Sequence, residues 1–429
     1  MTLIGRLIGQ LLKRGSLTVI SPNGSRATYG PGGGENITIR LHDRKVAFDI
    51  VRNPRLGLGE AFMDGRLTIE DGDILGLLTM VTGQNRWENG ASGRKAMQRG
   101  KKVIAALWRR NKPGKARRNV AHHYDLSDQL YDLFLDADRQ YSCAYYTDPT
   151  NSLEQAQADK KAHIAAKLHL KPGQKVLDIG CGWGGMALYL HKAAGVDVTG
   201  VTLSEEQLKV AQRRAKEAGV SEHVRFELID YRHLEGRFDR IVSVGMFEHV
   251  GAAHYEEFFA KCHGLLADDG VMLLHTIGKL GRASPPDPFT DKYIFPGYHL
   301  PSLSQMMSGS EAGRLIASDV ETLRLHYAYT LRAWLERTRA ARAKIEAMYD
   351  ERFYRLWEFY LAGGIVMFEN GAGCVYQVQY TRDRRALPIT RDYMDQAESE
   401  YRAQELKQIG PGRVSPGPLP RRPKRAKGA

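Results

Sequence analysis

The sequence predicts an α/β protein built on a Rossmann-like, doubly wound parallel sheet, with a small α+β domain ahead of it and helical insertions beyond it. Three observations carry this. Apolar runs alternate with amphipathic runs between residues 119 and 280, the pattern of strands joined by crossover helices. Short runs of alternating polarity precede that region. A stretch that is mostly helical in spacing and rich in aromatics follows it. At 429 residues the chain exceeds one ordinary domain, and 42% apolar residues suffice for a sizeable core. The boundaries read as a small α+β domain over 1–93, a candidate for lipid contact, then a basic linker over 94–118. A catalytic domain follows over 119–400, and a basic, Pro-rich, disordered tail over 401–429.

The elements follow in order. Leu3, Ile4, Leu7, Ile8, Leu11 and Leu12 recur at helical spacing, with Arg6, Gln10 and Lys13 opposite, so the chain opens on an amphipathic helix. Arg6 interrupts the apolar run and no small-residue cleavage site follows, which argues against a signal peptide. "SLTVI", "RATYG", "NITIRL" and "KVAFDIV" read as short strands, with "PNGS" as the hairpin turn between the first two. "DILGLLTMVTG" is helical and closes this domain near residue 85. In the second region Ser152 with Gln155 reads as a capping box. "KVLDIG", "VDVTGVTL", "VRFELID", "FDRIVSVG" and "VMLLHTIG" are strands. "GMALYLHKAA", the run opened by Ser204, and "HYEEFFAKCHGLL" are helices between them. In such a sheet ligands bind at the carboxyl ends of the strands.

The net charge of +13 is local. Arg94 to Arg118 holds 11 Lys/Arg and no acid, and the tail from Pro411 holds 6 more; the rest of the chain has 45 basic against 49 acidic residues. Such stretches either seek phosphates, in nucleic acid or on an anionic bilayer, or are solvated linker and tail. Four cysteines without CxxC pairing oppose a zinc site or a disulfide framework and suit a reducing cytoplasm. No run of 18 apolar residues is present to span a membrane.

The first strand of the large sheet ends in "VLDIGCGWGG". Gly180, Gly182 and Gly185 satisfy GxGxxG, which by itself would fit a nicotinamide or flavin enzyme. Asp178 argues otherwise. A carboxylate there would repel a pyrophosphate but suits the cationic amino and sulfonium groups of S-adenosylmethionine (SAM), while Gly-x-Gly lets the backbone approach closely. The second strand ends "GVTLS" without the acid that many SAM folds use for the ribose. Thr202 and Gln207 are the polar candidates, and Gln207 either completes a capping box with Ser204 or contacts the ribose. Asp230 is placed to accept from the adenine amino group, with Tyr231 beside the ring. Then "VSVGMFEHVG", Val242 to Gly251, puts Glu248 at the end of an apolar strand: either a solvated loop charge or a buried functional carboxylate.

The chain resembles the cyclopropane-fatty-acyl-phospholipid synthases and, more distantly, the mycolic acid cyclopropane synthases, both of the class I SAM-methyltransferase fold. The matching stretches are "HYDLSDQLYDLFLD" (His123 to Asp136), "YSCAYY" (Tyr141 to Tyr146), "VLDIGCGWGG", "GVTLS", "FDRIVSVGMFEHVG", "LLHTIG", "KYIFPGYHLPS" and "HYAYTLRAW", in order from about residue 120 to 380. The first 90 residues match weakly and the tail looks like an addition. The resemblance implies attack of a cis double bond of a phospholipid acyl chain on the methyl group of SAM. A carbocation results, and a bound bicarbonate ion deprotonates it so that the ring closes. It implies a bicarbonate site at Cys143, Glu248, His275, Ile277 and Tyr327, with donors in His275, Tyr327 and the backbone of Cys143 and Ile277. Glu248 would then accept from the bicarbonate OH, because an ionised carboxylate would otherwise repel the anion. By the same resemblance Tyr141 and Ser142 close over SAM, and Leu203 belongs to the cofactor site with Thr202. Tyr141, Tyr145, Tyr146, Phe247, Tyr293, Phe295 and Tyr298 are either ordinary core or the walls of an acyl tunnel whose π faces stabilise a cation. Gly364 stands where some relatives carry a Cys, so a covalent cysteine there is not essential, and a backbone role is expected for Cys143. No metal is expected. A homodimer is, because relatives form dimers, and so is a cytoplasmic enzyme peripherally bound to the inner face of the membrane.

Three alternatives stand beside this. A basic SAM fold can methylate nucleic acid, but an NPPF/Y-type loop is absent after the fourth strand, where "VGMFEHVG" stands, so no nucleic-acid partner is expected. A lipid-binding protein that had lost its site would not keep the glycine motif and the set from Cys143 to Tyr327. An enzyme of the same fold that leaves a methyl or methylene branch shares the first step and differs only in the fate of the cation.

Overall fold

The structure, a computed structural model, describes residues 12–83, 86–89 and 127–409. The amphipathic run at the N-terminus up to Leu11, the basic stretch Arg94–Arg118 and the tail from Pro411 lie outside the described residues.

Strands β1 (Gly15–Ile20), β2 (Arg26–Gly32), β3 (Asn36–Leu41) and β4 (Leu67–Asp71) form a sheet in the order β2-β1-β3-β4. The β1–β2 pair is the antiparallel hairpin read from "PNGS", with Gly24 at φ +83 in its turn. "KVAFDIV" is not a strand. It is helix α1 (Lys45–Arg52), because Asp43 Oδ1 accepts the amides of Lys45 and Val46, at 2.8 and 3.1 Å, and so supplies a helix start. Helix α2 (Pro54–Met63) follows with Pro at its first position. Helix α3 (Ile74–Thr82) is capped by Asp73, whose Oδ1 accepts from Gly76 N at 2.6 Å.

The large sheet is built from β5 (Lys175–Ile179), β6 (Asp197–Thr202), β7 (Val224–Leu228), β8 (Phe238–Val244) and β9 (Leu266–Lys279), all mutually parallel where they pair. Helices α4 (Asp128–Phe134) and α5 (Leu153–Lys167) precede it. Helices α6 (Gly185–Ala194), α7 (Glu205–Glu217) and α8 (Tyr255–Leu265) are its crossovers. Ser152 caps α5, but Gln155 turns to Asp159 (3.0 Å) and does not close the expected box. A complete capping box occurs instead at Ser302–Gln305.

Beyond residue 280 the chain is mostly helical, as expected: α9 (Pro288–Tyr293), α10 (Leu303–Ala312), α11 (His326–Ala340), α12 (Arg342–Met348), α13 (Glu351–Glu369) and α14 (Asp392–Ile409). Two strands in this region complete the sheet. β10 (Ile316–Leu323) and β11 (Gly373–Thr381) give the order β10-β11-β9-β8-β5-β6-β7, with β11 antiparallel to β9. Helix α14 also runs past residue 400, where the sequence predicts the start of the disordered tail, because Glu398 and Arg402 on it are tied to α5. Apolar residues of the N-terminal sheet (Leu17, Ile39), of α3 (Leu77) and of α11 and α13 (Trp334, Trp357) belong to one buried cluster.

Candidate functional site

β5 has β6 on one side and β8 on the other, so the strand order reverses there and a crevice opens at its carboxyl end. The turn leaving β5 needs glycine. Gly180 sits at φ +84, and a Cβ on it would lie 2.8 Å from Met246 Cβ; Gly182 sits at φ +54 with nothing within 4 Å. All the residues assigned to the cofactor, from Tyr141 and Ser142 through Asp178, Gly180, Gly182, Thr202, Leu203 and Gln207 to Asp230 and Tyr231, line one cleft there.

Their chemistry fits a cationic ligand. Asp178 is 2% exposed, and one carboxylate oxygen, Oδ2, is buried without a hydrogen-bond partner. Burial pushes its pKa up to about 7, with Lys160 pulling the other way. Gln207 does not return to the N-cap; its Oε1 accepts from Thr202 Oγ1 at 3.1 Å, in the cleft wall. Asp230 is already engaged, accepting from Arg232 through both oxygens at 2.9 and 2.5 Å. Sequence reasoning missed Arg139, Gln140, Trp183, Arg232, His249 and His254 in the lining. Trp183 lies inside the glycine motif and His249 beside Glu248, so both carry a signal. It also missed Lys160, which is fully buried. Its Nζ donates to Gln140 Oε1 (2.6 Å) and Ser142 Oγ (2.8 Å) and so fixes the segment ahead of Cys143 from below. Burial brings its pKa down to about 8.

Of the five residues assigned to the anion, Cys143, Glu248, His275 and Tyr327 are buried and Ile277 is half-buried, and none of the five lines the cleft. Cys143 follows Ser142 and Glu248 precedes His249, both of which line it. Glu248 is 4% exposed, so it is no solvated loop charge. Its Oε1 accepts from Ile277 N at 2.5 Å, its Oε2 has no partner, and burial raises its pKa to about 7. The Ile277 amide, expected to hold the anion, is therefore spent on Glu248, because the short helical turn after β8 brings the carboxylate against the end of β9. His275 accepts at Nδ1 from Gln377 Nε2 at 3.1 Å. Cys143 and Tyr327 share one buried cluster, and Ile277 packs against it. Burial raises the Cys143 thiol well above its ordinary value, and Sγ donates to Ala144 O at 3.3 Å, so no thiolate nucleophile is present there.

The aromatic set divides. Phe247 is core, stacked on Tyr255 with ring centroids 4.3 Å apart. Tyr145 stacks on His163 (4.0 Å), and Tyr146 meets Tyr329 edge-on (5.5 Å). The Tyr293 hydroxyl donates to Glu60 Oε1 (2.7 Å), and the Tyr298 hydroxyl accepts from Asp287 N (2.9 Å). Tyr141 faces Tyr360, hydroxyls 3.5 Å apart, and Tyr360 meets Phe295, which leaves these for an acyl wall.

Comparison with known proteins bears on the whole arrangement. The family model of mycolic acid cyclopropane synthetase matches residues 111–378, and that of a domain of unknown function matches 9–87. A probable fatty acid methyltransferase of Pseudomonas putida is 43% identical over 290 residues, 64% of this chain and 73% of that one. The cyclopropane-fatty-acyl-phospholipid synthase of Escherichia coli K12 is 38% identical over 361 residues, 83% of this chain and 91% of that one. The solved mycolic acid cyclopropane synthase CmaA1, in complex with SAH and CTAB, superposes with a TM-score of 0.59 at 36% identity, covering 62% of this chain and 97% of that one.

Proposed function

Because the chain belongs to the mycolic acid cyclopropane synthetase family, we propose that it adds a methylene bridge from SAM across the cis double bond of an unsaturated phospholipid acyl chain. It is a SAM-dependent enzyme of the methyltransferase class. One observation carries the finer reading: a buried carboxylate, Glu248, keeps one oxygen unpartnered next to a strand that presents a buried imidazole, His275, beside a cleft whose own buried carboxylate suits a cation.

When bound, SAM supplies the methyl group and bicarbonate the base that later takes a proton from it. Asp178 holds the cationic end of the cofactor, and Gly180 and Gly182 let the backbone approach. Thr202, Leu203 and Gln207 serve the ribose, Asp230 and Tyr231 the adenine, and Tyr141 with Ser142 closes over the methionine end. Glu248 accepts from the acidic O–H of the anion and so orients it, while His275, Tyr327 and the Cys143 backbone donate to it. Burial excludes water, which would otherwise quench a cationic acyl chain.

Mass spectrometry of lipids from cells expressing the chain should show unsaturated phospholipids gaining one CH2, and proton NMR should show ring protons. No mass gain refutes the reading. A gain without ring protons favours the second reading, a methyl or methylene branch, which the Pseudomonas relative's name supports. We further propose a peripheral homodimer that meets anionic bilayers through its basic stretches. Vesicle binding should weaken steeply between low and physiological salt, and equal binding to neutral vesicles would count against it.

A further inference from the structure

β11 carries Gln377 into the buried sheet, where it has no part in the scheme above. The register sets it directly opposite His275 on β9, and both side chains are buried. Valines at 375 and 378 show that this strand takes apolar residues readily. An amide at 377 is costly as well, since its Oε1 is buried with no partner. What it does is donate from Nε2 to His275 Nδ1, at 3.1 Å. An imidazole that accepts at Nδ1 carries its proton on Nε2. Burial first, then Lys160 and Lys167, hold the His275 pKa well below its usual value, so the ring stays neutral.

We propose that Gln377 is a positioning residue, which fixes His275 as a neutral donor with its remaining N–H offered to the bound anion. This rests on the bicarbonate site proposed above. Each alternative state of the ring would harm that site. The Nδ1–H tautomer would present a lone pair to an anion. An imidazolium would hand its proton to the base and would add positive charge beside an acyl chain that is itself turning cationic. In surroundings this dry both penalties are larger than in water.

The test uses the full chain with 15N-labelled histidine, and the variants Gln377→Met, similar in length but without the amide, and Gln377→Glu, which accepts from Nδ1–H. NMR reads the His275 tautomer without any ligand, and titration with 13C-bicarbonate reads the anion. Calorimetric SAM affinity serves as the control for folding. The parent chain should show Nε2–H. Gln377→Met should show mixed tautomers and bind bicarbonate about tenfold more weakly, the scale on which partners behind a ligand contribute. Gln377→Glu should shift the proton to Nδ1 and lose more. SAM affinity should hold in both. A parent chain with Nδ1–H, or a Met variant unchanged in both tautomer and bicarbonate affinity, overturns the assignment. If Gln377 sets the tautomer but the parent chain binds no bicarbonate, the anion site itself falls, and with it the positioning role of Gln377.

Discussion

Two buried carboxylates, Asp178 in the cleft wall and Glu248 beside it, are proposed here for opposite tasks, and their surroundings differ. Asp178 faces the cleft with an oxygen unpartnered and a pKa raised to about 7 by burial. A cationic ligand favours its charged form, so binding releases a proton wherever the free enzyme holds one. SAM affinity should therefore rise with pH up to and through about 7 and level off above it. Calorimetry in buffers of different ionisation heat should detect the released proton. Asp178→Ala should lose at least about tenfold in affinity, ~1.4 kcal/mol, and a variant with unchanged SAM affinity would exclude the contact. In the proposed reading Glu248 serves the chemistry instead. Glu248→Gln preserves the Oε1 that accepts from Ile277 but puts an NH2 where the unpartnered oxygen stands. SAM affinity should hold while turnover falls by about a hundredfold, within the range for a misplaced acid–base group. Full turnover of this variant in bicarbonate-free buffer would return Glu248 to a structural role.

At the scale of elements, legibility follows periodicity. Among the parallel strands β5, β8 and the second half of β9 carry near-continuous apolar runs, β6 and β7 interleave apolar with polar residues, and the crossover helices between them are amphipathic, so the sequence shows both. β11 is hidden because Gln377, Gln379 and Thr381 interrupt it, although every residue in it is buried. Those amides are satisfied, or used, only by tertiary neighbours such as His275, which no local pattern shows. α1 reads as a strand because its cap is a side chain two residues ahead of it. The glycine turn and its acid are legible because their chemistry is local. The Gln377–His275 pair and Lys160 are not, because strands and helices distant in sequence bring them together. α14 gives the element-scale prediction. His163 on α5 lies between Glu321 on β10 (2.7 Å) and Glu398 on α14 (2.8 Å), with Lys167, Asp159, Arg402 and the Tyr145 ring also facing the cluster. Burial lowers its pKa, but the two glutamates outweigh burial and Lys167, and the net shift is upward. A raised folded pKa means that the stabilisation is complete below the unfolded value of about 6.5 and is lost as pH rises through the folded value. Amide exchange in α14 should therefore speed up above neutral pH beyond the ordinary rise of chemical exchange, and His163→Leu should abolish that excess. An excess that persists in the variant would assign the latch to other charges.

The whole molecule tests whether the N-terminal unit is a passenger. Its sheet and helices share a buried cluster with α11 and α13, and Arg339–Asp73 (2.9 Å) and Lys292–Glu60 (2.6 Å) tie the rim. The units press together at Gly59 on α2, where an added Cβ would collide with the Phe289 ring and lie 2.8 Å from the Phe359 ring. Phe289 and Phe359 are themselves 1% and 7% exposed, so neither ring can swing into solvent. Their centroids are 4.7 Å apart, and Phe359 lies on α13 next to Tyr360, which faces Tyr141, a residue of the cleft wall. The seam between the units thus continues into the wall assigned to the acyl chain. Gly59→Val should overpack this seam at a cost of about 1–3 kcal/mol. Calorimetry should show the one melting transition of the described core moving to lower temperature as a unit. Because Gly59, Phe289 and Phe359 are not among the residues that line the cofactor cleft, SAM affinity at low temperature should survive, while turnover on long acyl chains should suffer more than on short ones. Two separate transitions, only the smaller of them displaced, would show instead that the N-terminal unit folds alone and that its packing against α13 contributes nothing to the stability of the catalytic sheet.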